Sequence, residues 1–290
     1  MSAGLAIHRP DTLDAAIELL QRYGEDARIV AGSTAVTIMV RQRLIAPAAL
    51  VAIAGIEGLG GIRRVDGHLE IGALTTHREV ELSPLVRETI PVLAETFGVV
   101  ANVRVRNVAT VGGVLAEADY ASDPPAVLLA LDAEIIARGP SGERTIPIAS
   151  FFRAFYETTL APDEILTAVR VPIPAAGTGA SYQKFVTRSS EDRPCVGVIA
   201  VVRRAGDGSI DDLRVAVAAA AETPQRFGDI EATARGAVLD DPLVRRIADE
   251  YAGRIDALDD LRGSAWYRTQ MIRVWVRRAI EAAAARAAGG

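Results

Sequence analysis

The sequence predicts an α+β protein: a small α/β unit, then a mixed α+β subdomain, then a C-terminal domain of a three-stranded antiparallel sheet with a helical bundle. Three observations carry this. Residues 1–56 alternate helical periodicity with short apolar runs, residues 57–176 break into short strands and turns, and residues 177–290 hold three long apolar runs followed by three helical patterns. At 290 residues the chain exceeds a typical single domain, so a boundary is expected, and Gly177-Thr178-Gly179 behind Pro172 and Pro174 is the best linker candidate.

In order, Pro10-Asp11-Thr12 followed by Leu13, Ala16, Ile17, Leu19 and Leu20 predicts a capped amphipathic helix ending near Tyr23-Gly24. Ala27 to Ala31 is an apolar run suited to a buried strand, and Ala35 to Leu44 has helical spacing. Leu50 to Ile53 and Leu69 to Ala73 are further strands. Thr75 to Val80 starts a helix with threonine at its cap, and Leu85 to Phe97 continues helical with Pro91 as an interruption or a second start. Ala133 to Arg138, Thr145 to Ile148 and Glu164 to Val171 are strands, the second an edge strand because of Pro147. Phe151, Phe152, Phe155 and Tyr156 are expected to pack in a core. Beyond the linker, Ser181 to Val186, Cys195 to Arg203 and Leu213 to Ala221 are strands, the last two joined through Gly206-Asp207-Gly208. Thr223 to Arg235, Asp240 to Ala257 and Ser264 to Ala288 are helical, and the terminal Ala/Arg helix is expected to fray.

Composition excludes several function classes. The net charge of −5, with no polybasic run, leaves no electrostatic footprint for nucleic acid or an anionic membrane. No apolar stretch is long enough to span a bilayer, and the start lacks the features of a signal peptide, so a cytoplasmic location is expected. The single cysteine, Cys195, excludes an internal disulfide and a multi-thiolate metal or iron–sulfur site on this chain alone. His8, His68 and His77 have no metal-ligand spacing, and no metal is expected. Of the 32 basic residues only Lys184 is lysine, a position that suits a compact ammonium or is a chance survivor.

Two glycine-bearing loops stand out. Gly32-Ser33-Thr34 lies between a strand and a helix, where it reads either as an ordinary elbow or as a phosphate cradle at a helix start. Ala109-Thr110-Val111-Gly112-Gly113 reads either as a tight turn or as a phosphate loop whose adjacent glycines take φ > 0 and expose consecutive N–H groups. After it, Asp123 before Pro124-Pro125 reads as a helix cap or as an acceptor for a ligand.

Taken together with Leu69-Glu70-Ile71-Gly72-Ala73-Leu74-Thr75-Thr76-His77, Ala118-Asp119-Tyr120-Ala121-Ser122-Asp123-Pro124-Pro125, Asp163-Glu164-Ile165-Leu166 and Tyr182-Gln183-Lys184-Phe185 with Arg188, these loops resemble the FAD-binding subunit of the molybdenum hydroxylases over nearly the whole chain. The resemblance implies an FAD-binding domain over residues 1–176, with subdomains meeting near residue 57, and a C-terminal domain of the dehydrogenase flavoprotein type over 177–290. It implies non-covalent FAD contacted by Ile29, Val30, Ala31, Gly32, Ser33, Thr34 and Ala35, by Val100, by Ala109, Thr110, Gly112 and Gly113, and by Asp123. Leu166 and Lys184 correspond to residues beside the flavin ring. Neither loop holds the histidine or cysteine of a covalent flavin attachment.

The same resemblance implies an electron-transfer role with no catalytic side chain. Its partners are a large molybdopterin subunit and a small subunit with two 2Fe–2S clusters, in a dimer of heterotrimers. A self-sufficient flavin oxidoreductase, and a scaffold that has lost flavin, are the rival readings. Three departures from the family pattern stand in the sequence. Ser33 replaces a second glycine, which negative φ would accommodate; Val114 replaces an asparagine; and no shielding tyrosine occurs in Ser189 to Pro194.

Overall fold

The computed structural model describes residues 5–288. The chain begins with β1 (Ala6–His8), α1 (Leu13–Tyr23), β2 (Ala27–Val30), α2 (Val36–Arg41) and β3 (Ala49–Ala52), and its strands form a parallel sheet in the order β1-β3-β2. Thr12 caps α1 by accepting from the Ala15 amide at 3.2 Å, and Gly24 with φ of 55° ends it. The buried stripe of Ala16, Ile17 and Leu20 packs on the sheet.

Next come β4 (Ile62–Val65) and β5 (His68–Gly72), followed by a run of short helices: α3 (His77–Leu82), α4 (Pro84–Thr89), α5 (Pro91–Gly98), α6 (Val103–Arg106), α7 (Val111–Glu117) and α8 (Pro124–Ala130). The segment closes with β6 (Glu134–Gly139), β7 (Gly142–Pro147), the ribbon of β8 (Phe152–Ala154) and β9 (Glu157–Thr158), and β10 (Ile165–Pro172). Strands β4-β5-β10-β6-β7 make one antiparallel sheet in that order. Thr76 and Glu79 form a reciprocal capping box on α3, and Pro91 starts α5.

The last third holds β11 (Thr178–Phe185), β12 (Val196–Arg204) and β13 (Ile210–Ala218) as an antiparallel sheet, then α9 (Gly228–Ala232), α10 (Asp241–Arg254) and α11 (Ala265–Ala288). The uninterrupted apolar run of β12 has a simple cause. Ile199 and Val201, with Ala216 and Ala218 of β13, join the core around α8, while Val196, Val198, Ala200 and Val202 face the core that contains α10 and α11. Helix α8 is buried along its whole length, as an all-apolar helix must be. It lies between that sheet and the helices α5 and α7, so whatever α8 carries at its start is positioned from both halves of the chain.

Several expectations are corrected here. β1 and β4 are strands the periodicity missed: three residues are too few to show it, and the two arginines at the centre of β4 interrupt any apolar run. The linker is shorter than Gly177 to Gly179: β11 starts at Thr178, and a Cβ on Gly179 would sit 2.1 Å from the Ala283 carbonyl oxygen of α11. The helix expected over Thr223 to Arg235 is confined to α9, since Gln225 pairs with Val217 as an extended bridge. The terminal helix does not fray through Ala288: Ala283, Ala284 and Ala287 are buried, and Arg286 binds Glu95 and the Ala180 carbonyl. Of the four clustered aromatics, Phe151 is fully buried while Phe155 and Tyr156 are exposed. Among the described residues no helix is long and apolar enough to cross a membrane.

Candidate functional site

The parallel β2 delivers Ile29 and Val30 into the first loop, Ala31 to Ala35, and α2 begins directly behind it. Gly32 is pressed backbone to backbone on the second loop, where a Cβ would lie 1.8 Å from the Val108 carbonyl oxygen. Ser33 takes a left-handed φ of 63°, not the negative value that would accommodate a side chain freely. The half-buried backbone N–H groups of Gly32, Ser33, Thr34 and Ala35 donate to no acceptor among the described residues. Four successive unspent donors at the start of a helix form a ready anion cradle.

The second loop is built differently from its sequence reading. Thr110 caps α7, its hydroxyl accepting from Gly113 at 3.1 Å, while the Val111 and Gly112 amides donate to the carbonyls of Thr75 and Ala73 at 2.9 and 2.8 Å. Gly112 and Gly113 are therefore right-handed and helical rather than at φ > 0, and their N–H groups are spent inside the protein. Close approach explains the glycines: a Cβ on Gly112 would lie 2.7 Å from that of Ala73, and one on Gly113 would lie 2.8 Å from the Thr110 hydroxyl. Ala109 is buried beside Gly32. The free donors thus come from the first loop, and the second forms the surface against which it is set.

Val100 lies in the connection from α5 to α6. Its carbonyl and that of Ala101 accept from the Arg106 guanidinium at 3.1 and 2.9 Å, and Arg106 also pairs with Glu81 at 2.9 Å. The Lys184 ammonium donates to the adjacent Val99 carbonyl at 2.8 Å and to Asp123 Oδ2 at 3.0 Å. Asp123 is no helix cap: it has helical dihedrals and caps nothing. Its other oxygen, Oδ1, accepts from the Tyr182 hydroxyl at 2.6 Å. Burial raises the Asp123 carboxyl, against the Lys184 charge and the hydrogen bonds from Tyr182 and Lys184. Burial, then the Asp123 charge, drives the Tyr182 phenol well above its usual range, so it remains a donor.

The structure thus sets Ala109 against the first loop and ties Lys184 to Asp123 and to the segment that carries Val100, and among the described residues no hydrogen bond joins that pair to the first loop. Leu166 is buried on β10 opposite Ala137, in the same cluster as Ala73, Leu115 and Val111 of the second loop. Tyr182 was missed as a functional side chain. Its signal was the spacing: residues two apart on a strand share a face, so Tyr182 and Lys184 point to the same side of β11, where both meet Asp123. The connection from β11 to β12 is pinned by Glu191 to Asn102 at 3.4 Å and by Arg193 to the buried Asp119 at 2.5 Å. Near that pair, burial and next the Asp119 charge raise the Glu117 carboxyl to about 7.

His77 is buried at the start of α3, edge-on to Phe97 of α5 with ring centroids 4.9 Å apart. Burial holds its imidazole at about 4, offset in part by the Thr110 backbone and reinforced by the Arg106 charge. The folded protein therefore binds this proton more weakly than the unfolded chain does. Its contribution is intact above the ordinary histidine value of about 6.5 and is lost as pH falls from there toward 4, to the extent of roughly 3 kcal/mol. Denaturant unfolding of the wild type and His77→Leu across that window is expected to show a shallower pH slope in the variant; equal slopes would refute the assignment.

This arrangement fits a diphosphate-bearing dinucleotide: free amides for the anion on a loop that Gly32 seats closely on the second, and a buried Asp123–Lys184 pair. Fold and site together define an FAD-binding subunit of an oxidoreductase. Residues 3–174 match the family described as FAD binding domain in molybdopterin dehydrogenase, and residues 180–283 match the CO dehydrogenase flavoprotein C-terminal domain. The chain belongs to that family of molybdenum hydroxylase flavoprotein subunits, and FAD is its cofactor. The carbon monoxide dehydrogenase medium chain of Hydrogenophaga pseudoflava is 34% identical over 281 residues, covering 97% of each chain. The xanthine dehydrogenase FAD-binding subunit of Escherichia coli O157:H7 is 30% identical, covering 98% of this chain and 97% of that one. A chain in the structure of the Hydrogenophaga pseudoflava carbon monoxide dehydrogenase that lacks the Mo-pyranopterin moiety superposes with a TM-score of 0.95 at 35% identity, covering 99% of both.

Proposed function

We propose that the chain is the electron-transfer subunit of a molybdenum hydroxylase complex, holding FAD non-covalently on an FAD-binding domain of residues 1–176 that is followed by a C-terminal domain of residues 177–290. The observation that carries this is the run of unspent N–H groups from Gly32 to Ala35, set by Gly32 against the second loop. When bound, FAD supplies the redox chemistry, exchanging electrons singly or in pairs. The protein supplies binding and electrostatics. Ile29 to Ala35 hold the diphosphate, with the backbone amides neutralising it without the desolvation of buried lysines. Ala109, Thr110, Gly112 and Gly113 set the shape of the opposite side. Val100 is fixed by Arg106 and lines the flavin pocket, while Asp123, Leu166 and Lys184 lie toward the ring.

In this reading the electrons arrive from a small partner subunit with two 2Fe–2S clusters, which takes them from a large molybdopterin subunit, and the assembly is a cytoplasmic dimer of heterotrimers. Titration of the purified chain with FAD, followed by anaerobic reduction, tests the first part. A stoichiometric, acid-releasable flavin that is reducible yet turns over no substrate until partner chains are added is the expected result. A chain that never takes up flavin, or one that turns over substrate unaided, would overturn it.

A further inference from the structure

We propose that Tyr182 is a positioning residue: its hydroxyl keeps Asp123 ionised and paired with Lys184, and so fixes the charge presented to the flavin. This rests on the FAD-subunit reading above. Three observations place it. Asp123 has each oxygen committed to one partner, Oδ1 to the Tyr182 hydroxyl at 2.6 Å and Oδ2 to the Lys184 ammonium at 3.0 Å. The lysine and aspartate side chains of that pair are only 8% and 4% exposed, so water does not replace a lost partner. The space for the phenol is cut into the neighbouring strand: Gly197, opposite Lys184 on β12, has no Cβ, and one there would lie 2.3 Å from the Tyr182 oxygen.

Chemistry follows from this geometry. Stripping the hydroxyl leaves a buried carboxylate with one of its two partners and favours its neutral form. Tyr182 and Lys184 are the titratable groups that act on Asp123. With Asp123 neutral, the Lys184 charge is uncompensated, and a positive charge near the ring favours the more negative, reduced flavin. Lys184 also anchors the Val99 carbonyl, so the same phenol steadies the segment that carries Val100.

The test uses the full chain as wild type, Tyr182→Phe, Asp123→Asn and the double variant. The expected result is that Tyr182→Phe binds reduced relative to oxidised FAD about tenfold more tightly than wild type, an upward potential shift of about 30 mV for a two-electron couple. Asp123→Asn shifts in the same direction, and the double variant shifts no further. Gly197→Ala, which displaces the phenol without removing it, reproduces the shift. Infrared spectra of the flavin-free proteins read the charge directly: Tyr182→Phe gains a protonated-carboxyl band that the double variant lacks. A wild-type potential in Tyr182→Phe with no such band would overturn the proposal, whereas a loss confined to packing would leave both readouts unmoved. If the wild type binds no FAD, the subunit reading fails at that step, and the infrared comparison alone decides whether Tyr182 governs Asp123.

Discussion

Gly32→Ala is expected to abolish FAD binding while leaving the sheet of β11, β12 and β13 folded. The added methyl would sit 1.8 Å from the Val108 carbonyl oxygen and 2.7 Å from its carbon, and neither atom can rotate out of the way as a side-chain tip does. The first loop must then lift off Val108 and Ala109, carrying with it the free amides of Ser33, Thr34 and Ala35. A cradle that works by converging donors loses affinity steeply when they diverge, and a hundredfold weaker Kd, about 3 kcal/mol, is the minimum expected. Flavin fluorescence titration reads this, with far-UV circular dichroism to confirm the fold. Ser33→Gly is the matched control: it relieves a left-handed serine, worth about 1–2 kcal/mol, and is expected to keep binding intact. Wild-type affinity in Gly32→Ala would remove the first loop from the site.

Arg268→Met is expected to cost about 3–5 kcal/mol of unfolding free energy, the scale for removing one partner of a buried charged network. The Arg268 side chain is fully buried and donates to the carbonyls of Cys195, Leu258 and Gly263 at 3.0, 2.7 and 3.1 Å and to Asp260 Oδ1 at 2.7 Å. Methionine fills much of the volume but satisfies none of these acceptors. Burial pushes the Asp260 carboxyl up, yet the hydrogen bonds from Tyr120, the Arg262 amide and Arg268 prevail and hold it at about 2. Removing Arg268 takes away one of those anchors, strips the Cys195 and Leu258 carbonyls of the guanidinium, and leaves the Gly263 carbonyl with only the Asp260 amide. Urea unfolding is the measurement: the midpoint is expected to fall with an unchanged slope, and a midpoint within experimental error of wild type would contradict the network's importance. Lysine is expected not to rescue, since a single ammonium cannot span acceptors that a planar fork reaches.

Much of the fold was legible because its signals are local. Thr12 and Thr76 announce helix starts, Pro91 restarts a helix, and the long apolar runs of β12 and β13 read as strands, which the structure buries on both faces. What stayed hidden depends on partners distant in sequence. Gly179 looks like a linker residue until α11 is laid across it, and Gly112 looks like a phosphate-binding glycine until Ala73 is found against it. For the same reason the sequence suggested which loops matter but assigned their chemistry too evenly. It placed free amides on both, whereas the second loop spends its own on Ala73 and Thr75. The sequence leaves Asp123 open between a cap and a ligand acceptor because its neighbours have cap grammar. Only the fold brings Tyr182 and Lys184 to it.

The burial of Lys184 reaches beyond the flavin. With every other basic side chain an arginine and this one 8% exposed, the described surface offers almost no side-chain amine. Amine-directed cross-linkers, the usual reagents for mapping a multi-subunit assembly, would therefore leave this subunit nearly silent. Its contacts would be recorded only by chemistry aimed at carboxylates or guanidinium groups, and acylation at lysine has no open target on the described surface.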